Sequence, residues 1–364
     1  MNKSFIPQME PWFGIEEKIA INNYMNEDGW FTEFKYTQEF EKKIAEFVGA
    51  KHCIVVNNGT ISLTLIAIAA GISFGDEVIV PNYTMIATPN SVKMLGAVPV
   101  FVDVDPDTLC LDFQKMKAAV TNKTKAVIFV NANGRNPKIE IENYVNFCKQ
   151  LNLIFIEDSA QSLGSFYPNG MHQGTISFAG SLSFSAPKII STGQGGAIIT
   201  NNDEVNIKLR KLKDFGRSGG GNDFHDSIGF NFKFTEMQAV IGLEQMKKLL
   251  FRVHRKKEIY IKYMENLKGV KEITIFKQDL INTTPWFIDV MVERREELQA
   301  FLKNNNIGSR IMYPPINKQV AYSISGEHIN SNNVGDKGLW LPSAAQLSDD
   351  EIDFVTDKII EFYS

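Results

Sequence analysis

Residues 125–158 read KAVIFVNANGRNPKIEIENYVNFCKQLNLIFIED. An apolar run, KAVIFVN (125–131), precedes IENYVNFCKQLN (141–152), whose Ile141, Val145 and Cys148 share one face of a helix. A second apolar run, LIFIED (153–158), follows at once. Runs that are apolar throughout are the pattern of strands buried on both faces, and a helix between two such runs predicts a parallel crossover. The same texture extends in both directions: HCIVVNN (52–58), DEVIVP (76–81) and VPVFVDV (98–104) come before, SLSFS (181–185) and GAIIT (196–200) after. The first five runs are spaced for crossover helices, one of them starting at Gly59-Thr60 with Leu63, Leu65 and Ile66. The expected fold is therefore α/β, a mostly parallel seven-stranded sheet covered on both sides, with ligands at the carboxyl ends of its strands.

Past about residue 245 the texture changes to a basic amphipathic helix, KKLLFRVHRKKEIYIKYMENL. A short strand, FIDVMVE, and two more helices, EELQAFLKNN and DDEIDFVTDKIIEFY, follow. This predicts a large domain over residues 1–247 and a smaller α+β domain over 248–364. A chain of 364 residues with 44% hydrophobic and 22% charged residues has the composition of a folded globular protein, not a disordered or fibrous one. Thirty-eight basic against forty-two acidic residues, with no block of like charge, argue against binding nucleic acid by phosphate neutralisation. Three scattered cysteines, Cys53, Cys110 and Cys148, fit neither a disulfide framework nor a metal clamp, and suit a reducing cytoplasm. The longest apolar stretch, at 61–72, is too short for a membrane span, and the start carries no apolar leader.

Three features can carry chemistry. Asp158 ends a parallel strand, where α/β ligands bind, although an aspartate there also serves as an ordinary turn cap. Lys188, in SFSAPKIISTGQGG, lies between an apolar strand and a Gly-rich turn. Partial burial there keeps an amine available in its neutral form, as a Schiff-base lysine requires, and a buried structural lysine is the alternative. Asn58-Gly59-Thr60 joins a strand to a helix start, a place for an anion as well as a common turn. Lysine, carboxylate and anion site together are what pyridoxal 5'-phosphate needs: an amine to bind it, an acid to keep its pyridine nitrogen protonated, and a cradle for its phosphate.

Four ordered segments carry a resemblance. They are GDEVIVPNYTMIATPNSVKMLGAVPVFVDVDPDT, IEDSAQSLGSFY, SFSAPKIISTGQGGAIITN and GFNFKFTEMQAVIGLEQMKKL. Taken in this order, they resemble the DegT/DnrJ/EryC1/StrS family of nucleotide-sugar aminotransferases, which have the fold-type I (aspartate aminotransferase) architecture. The resemblance implies that Lys188 is the Schiff-base lysine and proton shuttle, and that Asp158 is the partner of the pyridine nitrogen. Gln161 would lie against the ring hydroxyl, Gly59, Thr60 and Ser183 would hold the phosphate, and Met85 takes the slot of the usual stacked aromatic. Asn231 would reach the cofactor of a second subunit, which makes a homodimer the minimum active unit. Arg217, Tyr313 and Asn317 are candidate substrate contacts, the first in a Gly-rich stretch, 216–223, that reads equally as a loop over a nucleotide or a solvated turn.

Two further departures stand out. Asn131 replaces the family's histidine in VNANG, and Asn317 replaces another in RIMYPPINKQ, both pointing to a different substrate contact or a distinct subfamily. The five histidines are scattered without metal spacing, so no metal is expected. Trp12, Trp30 and Phe31 read as core or dimer surface, and Trp286 as core. The resemblance implies transfer of an amino group from L-glutamate to the C4 or C3 keto group of a nucleotide-linked 6-deoxy sugar. The amino sugar would serve surface polysaccharide or glycoconjugate biosynthesis, such as the O-antigen of lipopolysaccharide. Lysine at 188, where C3 dehydratases of the family carry histidine, speaks against dehydration. A catalytically quiet sensor or scaffold on the same fold is the competing reading.

Overall fold

The computed structural model describes residues 5–27, 29–219, 223–322 and 324–364. All seven expected strands are present: β1 (His52–Val56), β2 (Glu77–Pro81), β3 (Val98–Val102), β4 (Thr124–Val130), β5 (Ile154–Asp158), β6 (Gly180–Ser183) and β7 (Gly196–Thr200). They form one sheet in the order β1-β7-β6-β5-β4-β2-β3. Only β7 runs against the others, pairing antiparallel with both β1 and β6. The chain enters through α1 (Ile15–Met25) and α2 (Lys35–Val48); α3 (Gly59–Ala69), α4 (Ala87–Lys93), α5 (Phe113–Ala118) and α6 (Ile141–Gln150) are the crossovers between successive parallel strands.

Strand periodicity of two divides the core. Ile54, Val56, Val78, Val80, Ile128 and Ile156 meet α3 and the helix α7 (Asp203–Lys213) through Leu65, Ile66 and Leu209. The alternate residues Cys53, Val55 and Leu182 meet α2 through Phe40, Ile44 and Val48, spaced one helical turn apart. Helices on both faces leave only the strand ends open, so the sheet's carboxyl rim is where functional groups can gather.

From α8 (Glu236–Lys247) the chain turns at Lys248 into α9 (Leu249–Asn266). A four-stranded antiparallel sheet follows in the order β10-β11-β9-β8, built from β8 (Ile273–Ile275), β9 (Ile288–Val292), β10 (Arg310–Ile311) and β11 (Gly338–Leu341). The helices α10 (Arg295–Asn304), α11 (Ile329–Lys337) and α12 (Asp349–Tyr363) accompany it. Ile6 near the N-terminus belongs to this second cluster: it pairs with Ile307 and packs with Ile259, Val290 and Ile359. Trp30 and Phe31, expected as core or dimer surface, are exposed in this chain, which removes the core alternative for both. No helix among the described residues is long and apolar enough to cross a membrane.

The two sheets are tied by a buried ion pair. Arg135, just past β4, donates to both carboxylate oxygens of Asp289 on β9 at 3.0 and 2.6 Å, and its Nε donates to the Thr108 carbonyl at 2.8 Å. Both side chains are almost wholly buried, so losing one strands the other charge without water. Asp289→Ala should destabilise the fold by about 3–5 kcal/mol, seen as an earlier urea transition. The double change Arg135→Met, Asp289→Leu should recover most of that loss.

Candidate active site

The rim of the large sheet gathers residues from four strand ends around one cavity of about 260 Å³. Asn58, Gly59 and Thr60 follow β1, Thr84, Met85 and Ala87 follow β2, Asp158 ends β5, and Ser183, Ser185 and Lys188 end or follow β6. Leu63, Ala160, Gln161 and Gln194 complete the lining. Seven of the residues singled out from the sequence thus share one space: Gly59, Thr60, Met85, Asp158, Gln161, Ser183 and Lys188.

One end of the cavity is built by the start of α3. The Asn58 side chain accepts the N–H of Ile61 at 2.9 Å and its carbonyl accepts that of Ser62, which leaves the Gly59 and Thr60 N–H groups to the cavity. Gly59 packs so closely that a Cβ there would stand 3.1 Å from the Cβ of Ser183. Glycine therefore lets the helix start close on β6, bringing backbone donors and the Ser183 hydroxyl to one spot.

Asp158 is buried, and burial raises its carboxyl above the usual carboxylate range. The Thr88 hydroxyl at 2.7 Å, the Ala160 N–H at 3.2 Å and the charge of Lys188 pull the other way. Thr88 is itself hydrogen-bonded to Thr84 at 2.9 Å, so a relay from α4 aims the carboxylate. Across the cavity, burial pulls the Lys188 ammonium down to about 8, against the attraction of Asp158. At pH 7 about a tenth of such a lysine is neutral, roughly two to three hundred times the share of an ordinary one. No carboxylate among the described residues lies within ion-pairing distance of Lys188. Gln161 is fixed by the N–H of Asn133, which its Oε1 accepts at 2.7 Å.

Sequence reading missed several members. Thr88 was not singled out, and the spacing TMIAT, which sets Thr84 and Thr88 one turn apart, was the only signal. Trp286 is buried, as expected of core, but it also lies directly against Lys188: its ring centroid is 3.9 Å from Nζ. Ser185, Gln194 and Asn133 carried no signal at all. The altered-contact reading of Asn131 gives way to a structural one, because the side chain is fully buried with both ends engaged. It donates to the Tyr167 hydroxyl at 2.8 Å and accepts from Ser159 at 2.7 Å.

The remaining candidates lie outside the cavity lining. Tyr313 borders an adjoining crevice shared with Gln161 and Trp286. Asn317 accepts from the Asn82 side chain at 2.8 Å and returns its own N–H at 3.0 Å. Arg217 pairs with Asp223 at 2.7 Å and approaches Asp214 at 3.8 Å, while Gly220, Gly221 and Asn222 of the Gly-rich stretch fall outside the described residues. Asn231 is exposed and bridges the backbone of Asp214.

These groups fit pyridoxal phosphate. A cradle that a Cβ would crowd suits a phosphate, a buried carboxylate held by a hydroxyl suits a protonated ring nitrogen, and a lysine of lowered basicity suits covalent attachment.

The profile of the DegT/DnrJ/EryC1/StrS aminotransferase family matches residues 14–360. The GDP-perosamine synthase of Escherichia coli O157:H7 is 34% identical, over 99% of both chains. The dTDP-3-amino-3,6-dideoxy-alpha-D-galactopyranose transaminase of Aneurinibacillus thermoaerophilus is 34% identical over 94% of both. The crystal structure of a DegT/DnrJ/EryC1/StrS aminotransferase from Brucella abortus superposes with a TM-score of 0.90 at 30% identity, covering 96% of each chain.

Thr88→Val removes the hydroxyl that favours the ionised Asp158. Pyridoxal phosphate should then be held about tenfold or more less tightly, the cost of a hydrogen bond to a charged group, as read by spectrophotometric titration of the apoprotein.

Proposed function

The chain belongs to the DegT/DnrJ/EryC1/StrS aminotransferase family, and from that premise we propose that it moves an amino group from L-glutamate to the C4 or C3 keto group of a nucleotide-linked 6-deoxy sugar. The protein is a pyridoxal phosphate-dependent nucleotide-sugar aminotransferase of fold type I. One observation supports the residue roles: Lys188 and Asp158 line one cavity together with Gly59, Thr60 and Ser183, a set that suits a phosphate.

In this reading Gly59, Thr60 and Ser183 would hold the phosphate, Asp158 the ring nitrogen, Gln161 the ring hydroxyl and Lys188 the reactive carbon, with Met85 on the ring's side of the cavity. The cofactor supplies an electron sink for the charge left on carbon when an amine loses its α proton. Lys188 Nζ takes that proton and returns it, a role that suits an amine whose basicity lies near the working pH. Burial raises the Asp158 carboxyl, while the Thr88 hydroxyl, the Ala160 N–H and the charge of Lys188 favour its ionised form, in which it would hold a proton at the ring nitrogen. The sensor or scaffold alternative has no use for a lysine of lowered basicity facing a fixed carboxylate.

The substrate-side contacts belong to the same proposal. Tyr313 is favoured by its place beside Gln161, whereas Arg217 and Asn317 must exchange Asp223 and Asn82 for the sugar nucleotide. A homodimer is supported by the exposed Asn231 and by the uncovered aromatics Trp30, Phe31 and Phe34. The division at residues 247 and 248, with the segment at Ile6 joining the second part, the reducing cytoplasm suggested by three unpaired cysteines, and a product destined for surface polysaccharide complete it.

The test is mass spectrometry of protein, pyridoxal phosphate and L-glutamate with a panel of 3-keto and 4-keto deoxysugars linked to dTDP, GDP and UDP. Replacement of oxygen by an amine in one member is expected. Lys188→Ala should lose turnover by several orders of magnitude while staying folded, and wild-type amination by that variant would overturn the role of the lysine. Asn231→Ala should loosen cofactor retention, and an unchanged dissociation constant would remove the contact across subunits.

A further inference from the structure

Lys188 has a neighbour that the proton-transfer chemistry does not require. The Trp286 ring lies 3.9 Å from Nζ, and its Nε1 donates at 2.7 Å to the carbonyl of Pro187, the residue next to the lysine. The ring is therefore fixed to the backbone that carries the amine. Its flanks are fixed as well. The N–H of Phe287 donates to Asn133 Oδ1 at 2.7 Å, and Asn133 Nδ2 returns a bond to the Phe287 carbonyl at 2.9 Å. On the other side, Thr284 donates its N–H to Ser165 and its hydroxyl to the Gly164 carbonyl. Gly134, at φ +74°, admits this approach, since a Cβ there would stand 2.5 Å from the Thr284 carbonyl. Phe287 stacks on the indole at 3.8 Å, and Trp340 meets it edge-on.

A buried indole locked in this way presents the negative face of its quadrupole to a cation and cannot swing aside. We propose that Trp286 is a positioning residue that parks the free Lys188 ammonium on its face and so sets how readily that amine gives up its proton. This deepens the assigned function and rests on Lys188 being the cofactor lysine. While the lysine is detached from the cofactor, the ring keeps Nζ at the cavity wall in place of a carboxylate, which would bind the proton too firmly to release it.

Other charged groups also face the amine. Asp158 stands across the cavity, and Glu10, Arg252 and Lys256 line a small gap behind Lys188. The test must hold these constant, as the isosteric fluorotryptophans do when placed at position 286 by nonsense suppression. Fluorine empties the ring face of negative charge with little change in volume. In the apoprotein, trace acetylation with acetic anhydride across pH, read by peptide mass spectrometry, gives a titration midpoint for Lys188 and for Lys256. The second lysine is the packing control, because its Nζ donates to the Ser343 carbonyl and faces Phe287 instead.

The expected result is a stepwise fall in the Lys188 midpoint, about 0.5 pH unit or more from unsubstituted to tetrafluorinated indole, with Lys256 unmoved. A flat series for Lys188 would overturn the proposal, and so would parallel shifts of both lysines, which would report altered packing. Since the labelling uses apoprotein, its outcome is independent of which sugar is aminated, and a failed substrate panel leaves it readable.

Discussion

Two opposite charges face one another here without touching. Lys188 and Asp158 line the same cavity from the ends of neighbouring strands, and no carboxylate among the described residues pairs with the lysine. Had the two met, the ion pair would have locked the lysine as ammonium and consumed the acid. Kept apart, each obeys a different master: burial lowers the lysine's basicity to about 8, while Thr88 and the Ala160 N–H hold the aspartate. The rim around them is arranged to preserve that separation. The indole of Trp286 lies against Lys188, its ring centroid 3.9 Å from Nζ.

Consecutive residues on β5 show how partners decide roles. Glu157 and Asp158 point to opposite faces of the sheet, and burial raises both carboxyls. Glu157 is spent on structure: it accepts from the Tyr167 hydroxyl at 2.6 Å and from the N–H groups of Gly174 and Ile176. Tyr167 in turn accepts from Asn131, which closes a buried network behind the strand. Asp158 has one hydroxyl and one backbone donor, and its remaining capacity faces the cavity.

Most of the large sheet was legible because buried strands announce themselves as apolar runs and the crossover helices by their spacing. The reversed direction of β7 was not, since GAIIT reads the same either way. The small sheet was read only at β9. Its partners β8, β10 and β11 are two to four residues long, too short for a period to register. Lys188, Asp158 and the turn at Gly59 stood out in the sequence, and the fold gathers them at one cavity. The support around it was not, because it is made by residues far apart in sequence. Asn133 reaches Phe287 and Arg135 reaches Asp289 across 154 positions each. Trp286 was read as core, correctly for its burial, while its contact with Lys188 depends on a fold that brings β9 beneath the rim of the large sheet.

The account stands on Lys188 being the amine that attaches the cofactor, and a second buried lysine makes this a sharp question. Burial draws Lys256 down to about 7, it lines the gap behind Lys188, and chemistry alone would permit it to react. Borohydride reduction of the protein loaded with pyridoxal phosphate, followed by peptide mass mapping, locates the attachment. The prediction is a phosphopyridoxyl group on Lys188 alone. Label on Lys256, or no reducible link in a protein that has bound the cofactor, would contradict it.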